Sequence, residues 1–203
     1  MSEPRIGRVL VASLHQAIAD VLPARLEFYE NWLNVTGLRE GTIGLAPLSA
    51  VLSFLRSEGP AYTEITTRAG EYAAEWTVRS LPSMERRLIG VLPAPLRARA
   101  ALRTARALVR ATYPGSRAIV RVRRDAASID LRGSLFCEVR EASALPLCGF
   151  YASGIERVLQ LLSVTAAADV LECRAAARGR GCSLSISLGR SREPDIELPE
   201  NAA

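Results

Sequence analysis

The chain contains no lysine: all 26 of its basic residues are arginine. That excludes a Schiff-base lysine and a phosphate-loop lysine, and with them the enzyme classes that depend on one. Histidine occurs once, as His15, within an apolar helical stretch. A Ser-His-Asp or Cys-His machine would have to be built on that residue alone. We assign His15 a structural role and assign no catalytic residue. Aromatic residues make up only 5% of the chain. No glycine-rich loop stands between a strand and a helix, which argues against a phosphate-loop nucleotide fold. No apolar run is long enough to span a bilayer. The polar start, MSEPRIGR, lacks the apolar core of a secretory leader, so the expected location is cytoplasmic.

What is present describes a globular chain. It has 203 residues, 49% of them apolar, and a formal net charge of +5. That length buries a core of ordinary size in one domain. The excess of arginine would permit nucleic-acid binding. However, the densest run, Arg97, Arg99, Arg103, Arg106 and Arg110, alternates with Ala and Leu as the solvated face of an amphipathic helix does. No nucleic-acid partner is expected.

Periodicity divides the chain. Apolar residues at Val9, Leu10, Leu14, Ile18 and Val21 predict a helix over 8–22, and a second helix follows Pro23 and ends near Gly37. Helices are predicted over 47–57, 61–80 and 96–112, the first opened by Pro47. Ala69, Gly70, Ala73 and Ala74 permit close approach of another helix. After Pro114-Gly115 the period changes. Residues 116–125 and 127–140 alternate as antiparallel strands, 146–162 return to helical spacing, and 168–174 and 182–188 form a terminal hairpin. In its second strand Cys182, Leu184, Ile186 and Leu188 take one face and three serines the other. The segregated order predicts an α+β fold, with a helical N-terminal half and an antiparallel sheet packed against helices. The polar tail, 190–203, is expected to be disordered.

Among the cysteines, Cys148 opens a predicted helix, while Cys173 and Cys182 face each other across the hairpin. Three convergent thiols supply most of a tetrahedral metal site, and Asp169 and Glu172 are the nearby carboxylates. By strict alternation Glu172 points away from Cys173 unless the strand bulges. The competing reading is three small hydrophobes packed under a hairpin.

The segments LPLCGFYASGIERVLQLL and DVLECRAAARGRGCSLSI resemble the 4-vinyl reductase domain family at Cys148, Phe150, Gly154, Cys173 and Cys182. The resemblance extends loosely over 47–188. It implies a fold shared with TRAPP vesicle-tethering subunits, with a sheet and helices enclosing an apolar cavity, and a homodimer. By resemblance, three cysteines and a glutamate would bind structural zinc. The glutamate position holds Val170 here, which leaves a site completed by Asp169, Glu172 or water, or no metal.

The resulting division is a helical arm over 1–46 for dimerisation, a ligand-binding domain over 47–189 and the tail. The expected function is non-catalytic binding of a small apolar or aromatic ligand. Tyr72, Trp76, Ile129, Phe136, Phe150, Tyr151 and Ile155 are the pocket candidates, chosen for apolar bulk beside the sheet. The alternatives are an enzyme or accessory acting on a tetrapyrrole vinyl group, and a TRAPP-like interaction subunit.

Overall fold

The computed structural model describes residues 6–33, 44–123, 125–138, 142–176 and 180–189. Helix α1 (Arg8–Val21) buries Leu10, Val11, Leu14, Ala17 and Ile18, the stripe predicted from its spacing. A short 3-10 turn at Pro23–Arg25 leads into α2 (Leu26–Leu33). Helix α3 (Leu45–Ser57) carries Pro47 in its first turn, where a missing N–H costs nothing. Helix α4 (Pro60–Ser80) is the longest and begins at its own proline. Helix α5 (Ser83–Val91) was not expected. It buries only Ile89, and prolines at 82 and 93 bracket it, so its sequence reads as an interruption. Helix α6 (Ala94–Thr112) exposes Arg99, Arg103, Arg106 and Arg110, as the arginine spacing predicts, and buries Ala101, Leu102, Ala105, Leu108 and Val109. Arg97, expected on the same solvated face, is instead half-buried and donates to the carbonyls of Leu92 and Ser163.

Four strands follow as one antiparallel sheet in the order β1-β2-β4-β3. They are β1 (Arg117–Val122), β2 (Ala126–Arg132), β3 (Ala166–Glu172) and β4 (Cys182–Leu188). Helix α7 (Gly149–Leu161) connects β2 to β3. The α+β class and the antiparallel sheet are as expected. Ile129, Leu131, Leu184 and Ile186 form the buried face.

In two places the strands depart from regular alternation, and each redirects a cysteine. The strand expected to run to residue 140 stops at Arg132. Gly133 sits at φ 65°, and a Cβ there would lie 2.2 Å from the Gly115 carbonyl oxygen. Only glycine fits that reversal, and Leu135–Cys137 then form a 3-10 turn. The second departure is a register slip in β3 between Val170 and Glu172. Strict alternation puts Leu171 and Cys173 on one side. The bulge instead leaves Leu171 65% exposed and Cys173 2% exposed. The expected end of the second helix near Gly37 and the tail over 190–203 lie outside the described residues.

Helices α4 and α7 cross at two glycines. A Cβ on Gly70 would meet the Phe150 carbonyl oxygen at 2.3 Å, and one on Gly154 would meet the Gly70 carbonyl oxygen at 3.1 Å. The small-residue stripe read from the sequence is this crossing. Among the described residues no single helix is long and apolar enough to cross a membrane. The α1 and α2 segments pass that test only as a pair bent by 119°.

Gly70→Ala is expected to lower the unfolding free energy by about 2–3 kcal/mol in urea denaturation, since the clash is with backbone. Gly90→Ala, in open space on α5, is expected to be neutral or stabilising by up to about 1 kcal/mol.

Candidate metal centre

Four separate elements each bring one cysteine to a common point. Cys137 ends the 3-10 turn after β2, Cys148 caps the start of α7, Cys173 follows β3 past its bulge, and Cys182 opens β4. All four are buried and unpaired by disulfides. Their sulfur atoms lie within 4.8 Å of one another. Cys137 Sγ is 3.1 Å from Cys148 Sγ and 3.4 Å from Cys173 Sγ, and Cys148 Sγ is 3.6 Å from Cys173 Sγ. A tetrahedral cation with metal–sulfur bonds of about 2.3 Å separates its sulfurs by about 3.8 Å, so the nest needs only slight expansion to take one ion. An iron–sulfur cluster, which interposes its own irons and sulfides, needs a wider spacing.

Donors hold the sulfurs from outside. The Leu147 N–H donates to Cys173 Sγ at 3.2 Å, the Arg174 N–H to Cys182 Sγ at 3.4 Å, and the Ser134 hydroxyl to Cys137 Sγ at 3.3 Å. Such contacts stabilise thiolate and orient metal-ligating sulfur. The thiols are also unequal. Hydrogen bonding from Cys137, then Cys148, lowers the Cys182 pKa to about 3. Cys148 is pushed up, chiefly by its contacts with Cys137 and then Cys182. One thiolate can therefore be shared by its neighbours, but four need a cation to coexist. A crevice of about 300 Å³ opens over Cys137 and Cys182 and carries Arg132, Arg174 and Arg180. Guanidinium groups at that mouth offset the charge of a tetrathiolate, which stays doubly negative around a divalent ion.

Cys148, Cys173 and Cys182 are thus together, as their spacing suggests. Asp169 and Glu172 are exposed on β3, and the fourth group is Cys137, which sequence reasoning missed. Its signal was arithmetic: the chain has four cysteines in all. Reading 127–140 as one strand hid the reversal at Gly133 that turns Cys137 inward. Of the pocket candidates, Ile129, Phe136, Phe150, Tyr151 and Ile155 are buried together. Phe136 stacks on Phe150 at 4.8 Å, and Tyr151 meets both edge-on. Tyr72 and Trp76 stack on each other at 5.9 Å, half-buried on α4, where the Tyr72 hydroxyl donates to Asp20.

No protein-family model matches this chain, and no curated protein does. Among solved structures it is similar to the Fe(II) unliganded H-NOX protein of K. algicida, with a TM-score of 0.57 at 12% identity over 93% of this chain and 100% of that one. A single-residue variant of that protein gives a TM-score of 0.57 at 13% identity, covering 91% and 97%. The fold is that of an H-NOX domain. The likeness overturns the resemblance to the 4-vinyl reductase and TRAPP families, because the structural neighbours are H-NOX (haem–nitric oxide/oxygen binding) domains. The resemblance rested on five residues around the cysteines, and a convergent thiol nest supplies those spacings without that ancestry. The structural zinc it implied falls with it: the fourth group is a thiol instead of a carboxylate, and four sulfurs do not single out zinc among thiophilic ions.

The fold family implies haem, and the residues present do not fit it. Haem iron takes an axial His, Cys, Met or Tyr. His15 pairs with Glu30 at 2.7 Å across α1 and α2. Met84 is 73% exposed on α5, and each cysteine is committed to the nest. Tyr29 donates to Glu58, Tyr72 to Asp20, and the Tyr151 hydroxyl meets that of Ser116. The Tyr62 hydroxyl has no partner among the described residues, but it lies at the crevice of Pro60, Leu145 and Leu147, beside Arg56. The Phe136, Phe150 and Tyr151 rings pack on one another in the core, all at most 1% exposed. Haemin added to the purified chain is therefore expected to give no absorption band that His15→Ala removes. That substitution costs about 1 kcal/mol, the worth of a partly exposed hydrogen bond.

Proposed function

We propose that the chain is a non-catalytic small-molecule-binding module organised around a buried tetrathiolate centre, which holds one thiophilic cation and no haem. The observation that carries this reading is the convergence of all four cysteines, from four elements, within 4.8 Å. Packing alone would not require donors aimed at three of the sulfurs.

The ligand seat favoured by this reading is a crevice of about 470 Å³ between the start of α4 and the segment before α7. Pro60, Leu145 and Leu147 give it apolar walls, and Arg56 stands at its edge. Leu147 is shared with the centre, since its N–H holds Cys173. Tyr62 lines the crevice too, 6% exposed, and its buried hydroxyl has no hydrogen-bond partner among the described residues. Burial raises its pKa above the ordinary phenol range; Arg56 opposes this, and the thiols of Cys137, Cys148 and Cys173 add to it. A small apolar molecule with one polar group suits such walls. Reduced thiols belong in a reducing compartment, so a cytoplasmic setting is part of the reading. So is a homodimer, which is favoured by the exposed aromatic cluster of Phe28, Trp32 and Phe54 on α2 and α3. Sedimentation should give a dimer that Trp32→Glu converts to monomer.

Metal analysis of the untagged chain should find about one equivalent of a thiophilic metal per chain. Cys137→Ser should lose it as fully as Cys148→Ser does, and Co(II) loading should give the spectrum of a tetrahedral tetrathiolate. A metal-free, stable wild type with four titratable thiols would sink the centre. Nile red, a neutral apolar probe, should bind wild type and not Leu145→Asp; equal binding to both would remove the crevice from the proposal.

A further inference from the structure

A second concave site lies at the edge strand, away from the cysteines' interior. Its volume is about 630 Å³, and its lining includes Arg106, Arg110, Arg117, Arg132, Pro114 and Ile119. Four arginines from three elements line it, and no carboxylate does among the described residues. Their placement is unfavourable in itself. Arg106 and Arg110 are four apart on α6, so they share a helix face as like charges. Arg117 and Arg132 stand directly opposite each other in the β1–β2 register, where like charges repel. Of the four, Arg132 has an acidic neighbour, Asp130, with Nε 3.6 Å from its carboxylate. The cleft thus joins two like-charge pairs with little internal compensation. Such an arrangement is relieved by an anion that several guanidinium groups grip at once. Pro114 and the 37% exposed Ile119 give it an apolar shelf beside the charges.

We propose that this cleft binds a compact ligand carrying adjacent phosphate groups, with an apolar or aromatic body resting against Pro114 and Ile119. Four guanidiniums on one concave wall match a diphosphate or triphosphate better than a single anion, because each phosphate offers paired acceptors to a planar fork. Arg132 also stands at the mouth of the thiol crevice, whereas Arg106, Arg110 and Arg117 line this cleft and not that one, so R106Q/R117Q tests the cleft apart from the thiol centre.

Isothermal titration of the full chain with inorganic pyrophosphate, ATP, adenosine and orthophosphate tests it. Pyrophosphate and ATP should bind, ATP the tighter, orthophosphate about tenfold or more weaker than pyrophosphate, and adenosine not at all. Binding should weaken with salt. R106Q/R117Q and R110Q/R132Q should each weaken ATP binding by about a hundredfold, two charge-assisted contacts at about tenfold each. R86Q/R87Q, on the exposed face of α5, should leave it unchanged. All the substituted residues are exposed, and an unchanged melting curve confirms that the variants fold. Three results would overturn the proposal: no heat with either polyphosphate, equal loss in R86Q/R87Q, or a short single-stranded oligonucleotide binding more tightly than ATP through the same four arginines. The last would make the cleft part of a nucleic-acid face.

Discussion

The crossing of α4 and α7 at Gly70 and Gly154 fixes the rest of the molecule. With no Cβ on either residue, backbone meets backbone, and the two helix starts come side by side. A Cβ on Gly149, the first residue of α7, would sit 3.6 Å from the Thr66 hydroxyl of α4. Cys148, immediately before it, is thereby carried to the first turns of α4, where Tyr62 stands. The apolar crevice and the thiol nest are two sides of this junction. A wider crossing would separate them, and Leu147 could not line one while its amide holds the other.

The nest also needs the sheet. Cys173 and Cys182 arrive from paired strands, but the regular β3 ladder would aim Cys173 with Leu171. The slip between Val170 and Glu172 turns Cys173 inward and leaves Leu171 in solvent. Cys137 depends on a different irregularity, the positive φ at Gly133 that ends β2 early. Two breaks in regular structure, one glycine-dependent and one a bulge, thus complete a four-sulfur shell. Bulges and glycine-dependent reversals are means of re-aiming a side chain toward a site.

These breaks explain what the sequence could and could not show. Elements with uninterrupted periodicity were legible: the stripe of α1, the arginine face of α6, and the alternation of Cys182, Leu184 and Ile186 in β4. The antiparallel sheet followed from their order. Helix α5 was missed because one buried residue, Ile89, carries too little pattern to identify a helix. Three of the four sulfurs were placed together because each stands at an element boundary that periodicity can locate. Cys137 was assigned to a strand that Gly133 forbids, and no alternation pattern reveals a positive φ. Family resemblance failed for a related reason. Cysteine spacing reports a local chemical solution, whereas the fold is set by helix crossings and strand order spread along the whole chain.

The H-NOX fold and this chain's interior can be reconciled by asking what fills the core. Haem would require a flat cavity with an axial ligand aimed into it. Here three aromatic rings from the turn after β2 and the start of α7 pack on one another at centroid distances of 4.8–5.7 Å. Stacked and edge-on contacts of this kind hold rings in place by about 0.5–1.5 kcal/mol per pair beyond burial. Opening a haem-sized slot would forfeit these contacts and strand the Tyr151 hydroxyl away from Ser116. The energetic ordering therefore favours a solid aromatic core with the specific chemistry displaced to its margins: sulfur at one end of α7, and arginine along the edge strand.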